Sequence, residues 1–501
     1  MNYLLGIDGG VQEVRTVLFD LSGNEIDGVS VDVEINTDGT VCETDMNAYW
    51  EAAVLALNLL VNKGNVSAEN ILGIGVTGQS DGLWAVDEDG EPVGSAILGS
   101  DKRAVMETAA VLNRTPGMGK LIHRAIGIPV TEGSPMMLLK WLKKNRLSEY
   151  KKIAGVMLAK DWLRYKLTGR LVTDFTDGVS TMLEYPDGRI PGRMLTVLGL
   201  GEMVNKLPGV LPSDAVAGRV SPEAAALTGL KEGTPVATGA GAYAAATFGV
   251  GAAKNGDMAL VTGDISIAGL VRDAGRCDPA KNWQPFEKYI GQDVGLELIS
   301  TIDLRGNIDW ALKTFGLEND YVRVDSMIES TPQGCDGLVF LPYLCAARER
   351  ELGIMGDATG AFFGMTEEAD TARMLRAVYE ACAYSIRDAM ADHGAVKRVL
   401  MSCDETTDGV FPRIIADCLG VDTVVCRGRA FAARGAAMTA GLAVGVYHDT
   451  EDAVKHCCKV AHVYQAKPSA AYEDSFLLYR DLRRALKPLW ERRGQMIDKY
   501  Q

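Results

Sequence analysis

The sequence has few of the features that mark a membrane protein or a metal-binding scaffold. No stretch reaches the roughly 18 uninterrupted apolar residues that a membrane helix needs. Histidine is scarce, at five residues, and the ten cysteines form no Cys-x-x-Cys pair. The cysteine spacing therefore lacks the ligand pattern of a zinc site and is typical of buried thiols in a reducing compartment.

Positive charge is also in deficit. The 51 Lys and Arg residues face 66 Asp and Glu residues, which gives a formal net charge of −15 with the acids scattered along the chain. This balance favours solubility and offers no basic surface to nucleic acid. The opening residues MNYLLGIDGG lack the basic start, apolar run and cleavage site of a secretion signal, which predicts a cytoplasmic protein.

The chain does have considerable length and a repeated pattern of elements. Its 501 residues exceed the roughly 250 to 300 residues at which a single core stops growing. The N-terminal segment has the pattern of a strand, a glycine-rich turn and a second strand, and DMALVTGDISIAGLV repeats that pattern in the second half. Amphipathic helical segments lie between the strands. We therefore predict two similarly built α/β domains, residues 1–248 and 249–501.

Motifs along nearly the whole chain resemble the FGGY family of carbohydrate kinases, which includes xylulokinases, glycerol kinases and erythritol kinases. In chain order they are GIDGG with VLFDLSGNEI, GVTGQSDGLWAVDEDGEPVGSAIL with SDKRA, KDWLRYKLTGRLVTDFTDGVST, FLPYL, ATGAFFGMT, IIADCLGVDTVV and ARGAAMTAGLAVG. The resemblance implies two actin-like (ribonuclease H-like) ATPase domains with an interdomain cleft, the sugar or polyol being held mainly by the N-terminal domain. It also implies ATP and Mg²⁺ as cofactors and phosphoryl transfer to a hydroxyl as the reaction.

At the position of the family's general base, this sequence has no proton acceptor. The family pattern is similar to Gly-Gly-Gly-Asp-x-Ala-Ala, and GAGAYAA aligns with it without a gap, so that Ala242 takes the place of the Asp. A methyl group cannot accept a proton, and general-base assistance is typically worth ~10²- to 10⁴-fold in rate. Asp8, at the end of the first strand, keeps the family's magnesium position.

The loops that face ATP by this resemblance also differ from the family pattern. The first turn lacks the family's hydroxyl residues, an acid follows the glycine of the second turn, and the adenosine-side glycine triplet is absent. The resemblance assigns to the nucleotide side Gly10, Gly263, Asp264, Asp404 and Glu405. A carboxylate ~4 Å from a phosphate oxygen costs about 1 kcal/mol in water and several times more in a cleft. We therefore expect Asp264 to repel ATP unless a cation lies between them.

The sugar side is closer to the family pattern. Gln79, Asp81 and Trp84 resemble the Gly-Gln-Gly-Asp-Gly-x-Trp stretch of erythritol-kinase-like members. Asp101 and Arg103 resemble the acid and base of the family's Trp-x-Asp-x-Arg stretch. The resemblance implies that these five residues bind the substrate. Charged groups make directional bonds to hydroxyls, and an aromatic ring can stack on a C–H face. Gly99 stands where the second stretch has its Trp. The alternative is that Asp101 and Arg103 form an interdomain or helix-end ion pair. Asp174 and Asp177 are either site residues or helix-capping or loop residues, and we favour the second interpretation.

Three functional hypotheses follow. The first is a pseudokinase that binds a sugar, a polyol, a derivative of these or a partner protein. The second is an active sugar or polyol kinase with a substitute base. The third is a non-kinase enzyme with an acidic, metal-binding cleft that includes Asp8, Asp264, Asp404 and Glu405, because hard cations prefer oxygen ligands. The sequence leaves open whether the chain forms a homo-oligomer or binds another protein. We expect neither nucleic acid nor a membrane as a binding partner.

Overall fold

A computed structural model describes residues 1–63, 67–114, 117–127, 129–178, 192–262, 267–273, 286–291, 294–299, 302–344, 358–402 and 409–500. Within these residues the strands are β1 Tyr3–Gly9, β2 Glu13–Asp20, β3 Glu25–Asp32, β4 Asn36–Asp38, β5 Val41–Thr44, β6 Ile71–Gly78, β7 Trp84–Val86, β8 Ala96–Ile97, β9 Gly155–Met157, β10 Val172–Asp174, β11 Gly209–Leu211, β12 Val216–Arg219, β13 Pro235–Ala237, β14 Asp257–Val261, β15 Ile267–Asp273, β16 Phe286–Lys288, β17 Val294–Ile299, β18 Val339–Leu341, β19 Ala361–Phe363, β20 Arg398–Met401, β21 Thr423–Cys426 and β22 Val460–Tyr464.

The helices alternate with these strands, as expected for an α/β protein. They are α1 Met46–Asn62, α2 Val105–Leu112, α3 Met118–Ile126, α4 Pro135–Asn145, α5 Leu147–Lys152, α6 Ala159–Thr168, α7 Phe175–Gly178, α8 Gly192–Leu198, α9 Pro222–Thr228, α10 Ala242–Gly249, α11 Leu304–Phe315, α12 Tyr321–Ser330, α13 Thr371–Ala389, α14 Val410–Leu419, α15 Phe431–Ala443, α16 Thr450–Cys457 and α17 Ala470–Tyr500. No helix in the described ranges is long and apolar enough to cross a membrane.

The chain divides into two compact units. The first unit contains Met1–Asn255, Val271–Leu298 and Ala430–Cys458, and the second contains Gly256–Leu270, Ile299–Arg429 and Lys459–Gln501. The first unit therefore includes α15, although that helix lies late in the sequence. The domain boundary predicted after residue 248 stays a prediction.

A six-stranded mixed sheet forms the centre of the first unit. Its order is β12-β13-β6-β1-β2-β3, in which β1 is antiparallel to β2, and β6 is parallel to both β1 and β13. The parallel register places Gly9 opposite Gly78. The segments that follow β1, β6 and β13 consequently leave the sheet at the same edge, and in open α/β sheets this is the edge at which ligands bind. We call it the first-unit edge.

Glycine allows helix α15 to approach this sheet closely. A Cβ atom on Gly6 would lie 2.0 Å from the carbonyl oxygen of Ala433, and one on Gly75 would lie 1.8 Å from that of Ala436. Real side chains are excluded at such distances, so both strands require glycine at these positions. The same helix packs against α10, where a Cβ atom on Gly435 would lie 1.9 Å from the carbonyl oxygen of Ala245. This packing fixes α10 with respect to the sheet.

The second unit repeats the central strand arrangement of the first. Strand β14 is antiparallel to β15 and parallel to β20, just as β1 is antiparallel to β2 and parallel to β6. Strand β21 extends the sheet in parallel with β20, and β22 closes it antiparallel to β21. Buried residues along α13 pack into this unit's core, among them Arg376, whose Nε lies 2.6 Å from Glu380 Oε1. The α/β fold with two similar sheets, predicted from the sequence, is confirmed.

Candidate functional site

The turn after β1 is held at the first-unit edge by two side chains. Gln79 donates from its backbone N–H to the Gly9 carbonyl at 2.9 Å and from Nε2 to the Gly10 carbonyl at 3.4 Å. The Tyr49 hydroxyl donates to the Gly10 carbonyl at 2.8 Å. Burial, and next the charge of Asp8, raise the pKa of Tyr49 well above its usual value. Tyr49 therefore stays a neutral donor, and three of the predicted site residues, Asp8, Gly10 and Gln79, lie together.

Asp81 occupies a strained position beside Gly99. Its backbone has a φ of 66°, in the left-handed region that non-glycine residues seldom adopt. A Cβ atom on Gly99 would lie 2.9 Å from the Cβ atom of Asp81 and a Cβ atom on Gly133 would lie 1.9 Å from the Gly99 carbonyl oxygen. The space of the family's Trp at position 99 is thus filled by neighbouring chain, and a large side chain there would displace Asp81.

Asp101 and Arg103 form a buried ion pair with each other. Arg103 Nε donates to Asp101 Oδ1 at 2.8 Å and Arg103 Nη2 donates to Asp101 Oδ2 at 2.7 Å. Nη2 also lies 2.7 Å from Glu43 Oε1, and the guanidinium stacks 5.0 Å from the ring centre of Trp141. Burial disfavours the charge, but these bonds raise the pKa of Arg103 above its usual value. This geometry is the ion pair that the sequence analysis gave as the alternative to a ligand site. That Asp101 or Arg103 also contacts a ligand stays a prediction.

Trp84 lies inside the core of the first unit. Its side chain is fully buried, and its ring makes an edge contact with Tyr49 at 4.8 Å between centroids. Strand β7, which begins at Trp84, pairs with β9 and fixes this orientation. In this structure the ring supports the tyrosine that holds Gly10, and it presents no face to solvent on which a sugar could stack.

Five charged side chains that were not assigned to the site form a buried charge cluster in the first unit. They are Lys160, Asp161, Arg164, Asp174 and Asp177, and all are 0% exposed. Lys160 Nζ lies 2.7 Å from Asp161 Oδ1, 2.9 Å from Asp174 Oδ1 and 3.1 Å from Asp177 Oδ2. Arg164 Nη2 lies 2.9 Å from Asp161 Oδ1. Among the residues that the structure describes, three carboxylates therefore share two cations, which leaves one negative charge in excess.

The three carboxylates of this cluster differ in how well their charge is stabilised. Asp174 Oδ2 accepts the backbone N–H and hydroxyl of Thr176, at 2.9 and 2.7 Å, and the hydroxyl of Ser213 at 2.6 Å. Burial opposes the charge of Asp161, but its two cationic partners hold its pKa below the usual value. Within the described part of the chain Asp177 is bonded to one cation and one hydroxyl, and burial raises its pKa to about 7. Asp177 is therefore the carboxylate of this cluster that takes up a proton most readily.

Asp177 lies directly against the start of α10. A Cβ atom on Gly241 would lie 2.4 Å from Asp177 Oδ1 and 2.9 Å from Ser80 Oγ, and the Ser80 hydroxyl donates to Asp177 Oδ1 at 2.8 Å. The Gly241 N–H donates to Thr176 Oγ1 at 2.7 Å. The buried carboxylate is thus packed beside the residue that precedes Ala242. In the sequence, the motif Asp-Phe-Thr-Asp was the one signal of this buried carboxylate. An Asp two residues before a Thr more commonly caps a helix, and Asp174 does accept the Thr176 N–H in this way.

Comparison with known proteins assigns the family. The N-terminal domain of the FGGY family of carbohydrate kinases matches residues 3–249, and its C-terminal domain matches residues 282–444. The chain belongs to the FGGY family of carbohydrate kinases. It is 26% identical to a probable L-xylulose kinase of Pasteurella multocida, over 98% of this chain and 100% of that protein, and 26% identical to an erythritol kinase of Brucella abortus, over 98% and 97%.

Solved structures of FGGY family members share the fold. A ligand-bound xylulose kinase from Lactobacillus acidophilus matches with a TM-score of 0.87 at 23% identity, covering 98% of this chain and 100% of that one. A glycerol kinase from Plasmodium falciparum with ADP matches with a TM-score of 0.83 at 19% identity, covering 97% and 98%. The two-domain α/β, actin-like ATPase fold predicted from the motifs is therefore confirmed.

The nucleotide side of this FGGY chain falls largely outside the described residues. Gly263, Asp264, Asp404 and Glu405 are not among them. In the described part of the chain, no group of three or more His, Cys, Asp or Glu side chains could hold a metal ion. Asp8 is the one predicted metal-binding carboxylate that the structure places, at the first-unit edge, and a single carboxylate is a partial match to a magnesium site. Its role as the family's magnesium residue stays a prediction.

Proposed function

We propose that this chain binds a sugar or polyol at the first-unit edge, beside Gln79, Ser80, Asp81 and the start of α10, and that it has lost the family's usual base-assisted phosphoryl transfer. On this proposal it is a pseudokinase, or an FGGY protein whose cleft serves another use, and it acts in the cytoplasm. The observation that carries the proposal is the alanine at the first position of α10. The family and the names of the relatives support a small polyhydroxylated ligand.

The missing carboxylate has a definite kinetic cost. Phosphoryl transfer depends on placing the acceptor hydroxyl and on removing its proton as the new bond forms. Without a positioned base at residue 242 the rate falls by ~10²- to 10⁴-fold, which would leave binding as the retained property. Binding itself needs hydroxyl and carboxylate groups at the edge, and Ser80 and Asp81 are partly exposed there.

Calorimetry tests the binding claim. Titration with D-xylulose, L-xylulose, erythritol, xylitol and glycerol, each with and without MgATP, should detect binding of at least one sugar or polyol. ADP release, followed with a coupled assay, should stay at least ~10²-fold below that of an FGGY kinase with Asp at this position. Turnover at the normal rate would refute the loss of function, and no binding across the panel would refute the ligand class.

The variant Ala242→Asp tests whether the base alone is missing. Because the nucleotide loops also differ from the family pattern, we expect this substitution by itself not to produce a normal kinase. The measurement is ADP release with the best ligand of the panel, with calorimetry to verify that ligand affinity is kept. Robust ADP release by Ala242→Asp would show that the nucleotide loops still bind ATP. It would then refute the expectation that the altered loops prevent phosphoryl transfer.

A second candidate is an active kinase with a substitute proton acceptor, and Asp177 favours it. Asp177 is itself fully buried, but its Oδ1 accepts a hydrogen bond from the partly exposed Ser80, and its pKa of about 7 suits proton transfer through that hydroxyl near neutral pH. If this candidate is right, Asp177→Asn should lower turnover by ~10²-fold or more, whereas Asp27→Asn, a surface acid paired with Lys63, should not. Equal turnover in both variants would eliminate Asp177 as the acceptor.

The acidic, metal-dependent enzyme is the third hypothesis, and the described residues add nothing in its favour. Three of its four acids, Asp264, Asp404 and Glu405, lie outside the described ranges. Retention of a divalent metal through chelation would support it. Purification together with another protein would instead favour a pseudokinase that acts through a partner.

A further inference from the structure

Ser80 links the first-unit edge to the interior. It lies between two predicted ligand residues, Gln79 and Asp81, and is partly exposed, yet its hydroxyl donates to a carboxylate that is completely buried. A serine hydroxyl has one proton and two acceptor lone pairs. The direction of the bond to Asp177 therefore decides whether that single proton is available to anything at the edge.

Asp177 can hold or release a proton because of the groups that face it. From α6, Lys160 approaches its Oδ2 at 3.1 Å and Asp161 and Arg164 complete the cluster. From β10, Asp174 adds negative charge, and the Ser80 hydroxyl and Gly241 lie against Oδ1. Strands β11 and β16 also pack against α7, and from β16 the Lys288 Nζ lies 4.0 Å from the ring centre of Phe175. With one carboxylate more than cations among fully buried side chains, the cluster is neutral when a proton is bound and negative when it is not. A single proton thus changes the state of the pair near neutral pH.

We propose that Ser80 hydrogen-bonds an oxygen atom of the bound sugar or polyol, and that one proton on Asp177 decides whether Ser80 donates or accepts that bond. This proposal rests on the sugar or polyol binding proposed above. When Asp177 is ionised, Ser80 donates to it and can only accept from the ligand. When Asp177 is protonated, it donates to Ser80 Oγ, and the serine proton becomes available to the ligand.

The protonation state of Asp177 should affect which ligands bind best beside Ser80. A ketose carbonyl oxygen can only accept a hydrogen bond, whereas the hydroxyl that replaces it in the corresponding polyol can donate or accept. Ionised Asp177 therefore disfavours a carbonyl against Ser80 and tolerates a hydroxyl, while protonated Asp177 suits both. The ratio of ketose affinity to polyol affinity should fall as the pH rises through neutrality.

D-Xylulose and xylitol are suitable probes because they differ only at one carbon, a carbonyl in the first and a hydroxyl in the second. Calorimetric titration of the full chain at about pH 6 and about pH 8 should show the xylulose-to-xylitol affinity ratio fall by ~5- to 10-fold, the size expected for loss of one hydrogen bond. The experiment gives Kd values for both probes at each pH, without any need for turnover.

Two variants test the assignment. In Asp177→Asn the amide oxygen can face Lys160 while the amide N–H donates to Ser80, which imitates the protonated state, so the ratio should stay at its acidic value at both pH values. In Ser80→Ala both probes should bind more weakly, with a ratio that does not depend on pH. Asp27→Asn, on the surface, is the matched control and should behave as the native chain.

The outcomes separate this proposal from the broader one. If the native chain binds neither probe nor any other sugar or polyol of the panel, the ligand class is wrong and the Ser80 contact falls with it. If the probes bind but the ratio is independent of pH, or changes in Asp177→Asn as it does in the native chain, the Ser80–Asp177 proposal alone is overturned. Should Asp177→Asn not fold, unchanged affinities in Ser80→Ala would overturn it equally.

Discussion

Replacement of Asp177 by Asn should change how stability depends on pH. The native carboxyl is fully buried and its pKa is raised from 3.8 to about 7, chiefly by burial. Between these two values the folded chain holds a proton that the unfolded chain has released. The contribution of Asp177 to native stability is therefore highest at and below about pH 4, falls as the pH rises toward 7, and is level above that. Asn cannot titrate, so the variant lacks this contribution.

The magnitude follows from the size of the pKa shift. Each pKa unit corresponds to about 1.4 kcal/mol, so the free energy of unfolding of the native chain should lose up to ~4 kcal/mol relative to the variant between about pH 4 and pH 7. For a unit of this size, where 1 kcal/mol moves the midpoint by roughly 2 °C, the difference in Tm should change by up to ~8 °C.

Thermal unfolding of both chains at several pH values between about 4 and 9 measures this difference. We expect the Tm of Asp177→Asn to gain on that of the native chain up to about pH 7 and to keep a constant offset beyond. Asp27→Asn should follow the native curve, because its surface pair with Lys63 is solvated. If the Tm of the native chain and that of Asp177→Asn change in parallel over the whole pH range, Asp177 does not titrate in that range. This result would refute the assignment of a raised pKa to the excess carboxylate.

Two further predictions concern the packing of the first unit. Gly75→Ala should destabilise the chain by ~3 kcal/mol or more, since its Cβ would lie 1.8 Å from the Ala436 carbonyl oxygen, while Gly209→Ala, with open space, should be nearly neutral in Tm. Tyr49→Phe should lower the free energy of unfolding by about 1 kcal/mol, because it removes the hydrogen bond to the Gly10 carbonyl. Denaturant unfolding measures this change. An unchanged midpoint in Gly75→Ala or in Tyr49→Phe would contradict the packing described.

Much of the fold was predictable because it depends on local patterns. Alternating strands and amphipathic helices identify an α/β protein. The family was indicated by the resemblance of specific motifs, in chain order, to those of FGGY kinases. The repeated strand, turn and strand pattern indicated two similarly built domains. In the structure, β1 and β14 each pair with one antiparallel and one parallel neighbour. The placement of helix α15 within the first unit, far along the chain, left no such local signal.

The site was predictable only in part. Asp8 lies near the end of β1, Gly10 follows that strand and Gln79 follows the parallel strand β6, so the three residues meet at one edge of the sheet. Trp84 is different, because an aromatic residue beside polar ones can be a stacking surface or a core residue, and packing against Tyr49 made it the latter. Whether Asp101 and Arg103 face a ligand or each other also depends on tertiary distances, which bring them into a bidentate pair.

The sequence by itself determined the family, the α/β architecture and the absence of a carboxylate at residue 242, since each is a matter of residue identity and order. Only the tertiary structure brought Ser80, Asp177 and Gly241 together, because their separation along the chain carries no information on their distance in space. Only burial and the count of surrounding charges then gave Asp177 its raised pKa. Side-chain ionisation is a property of surroundings, and those surroundings come from elements that are remote in the sequence.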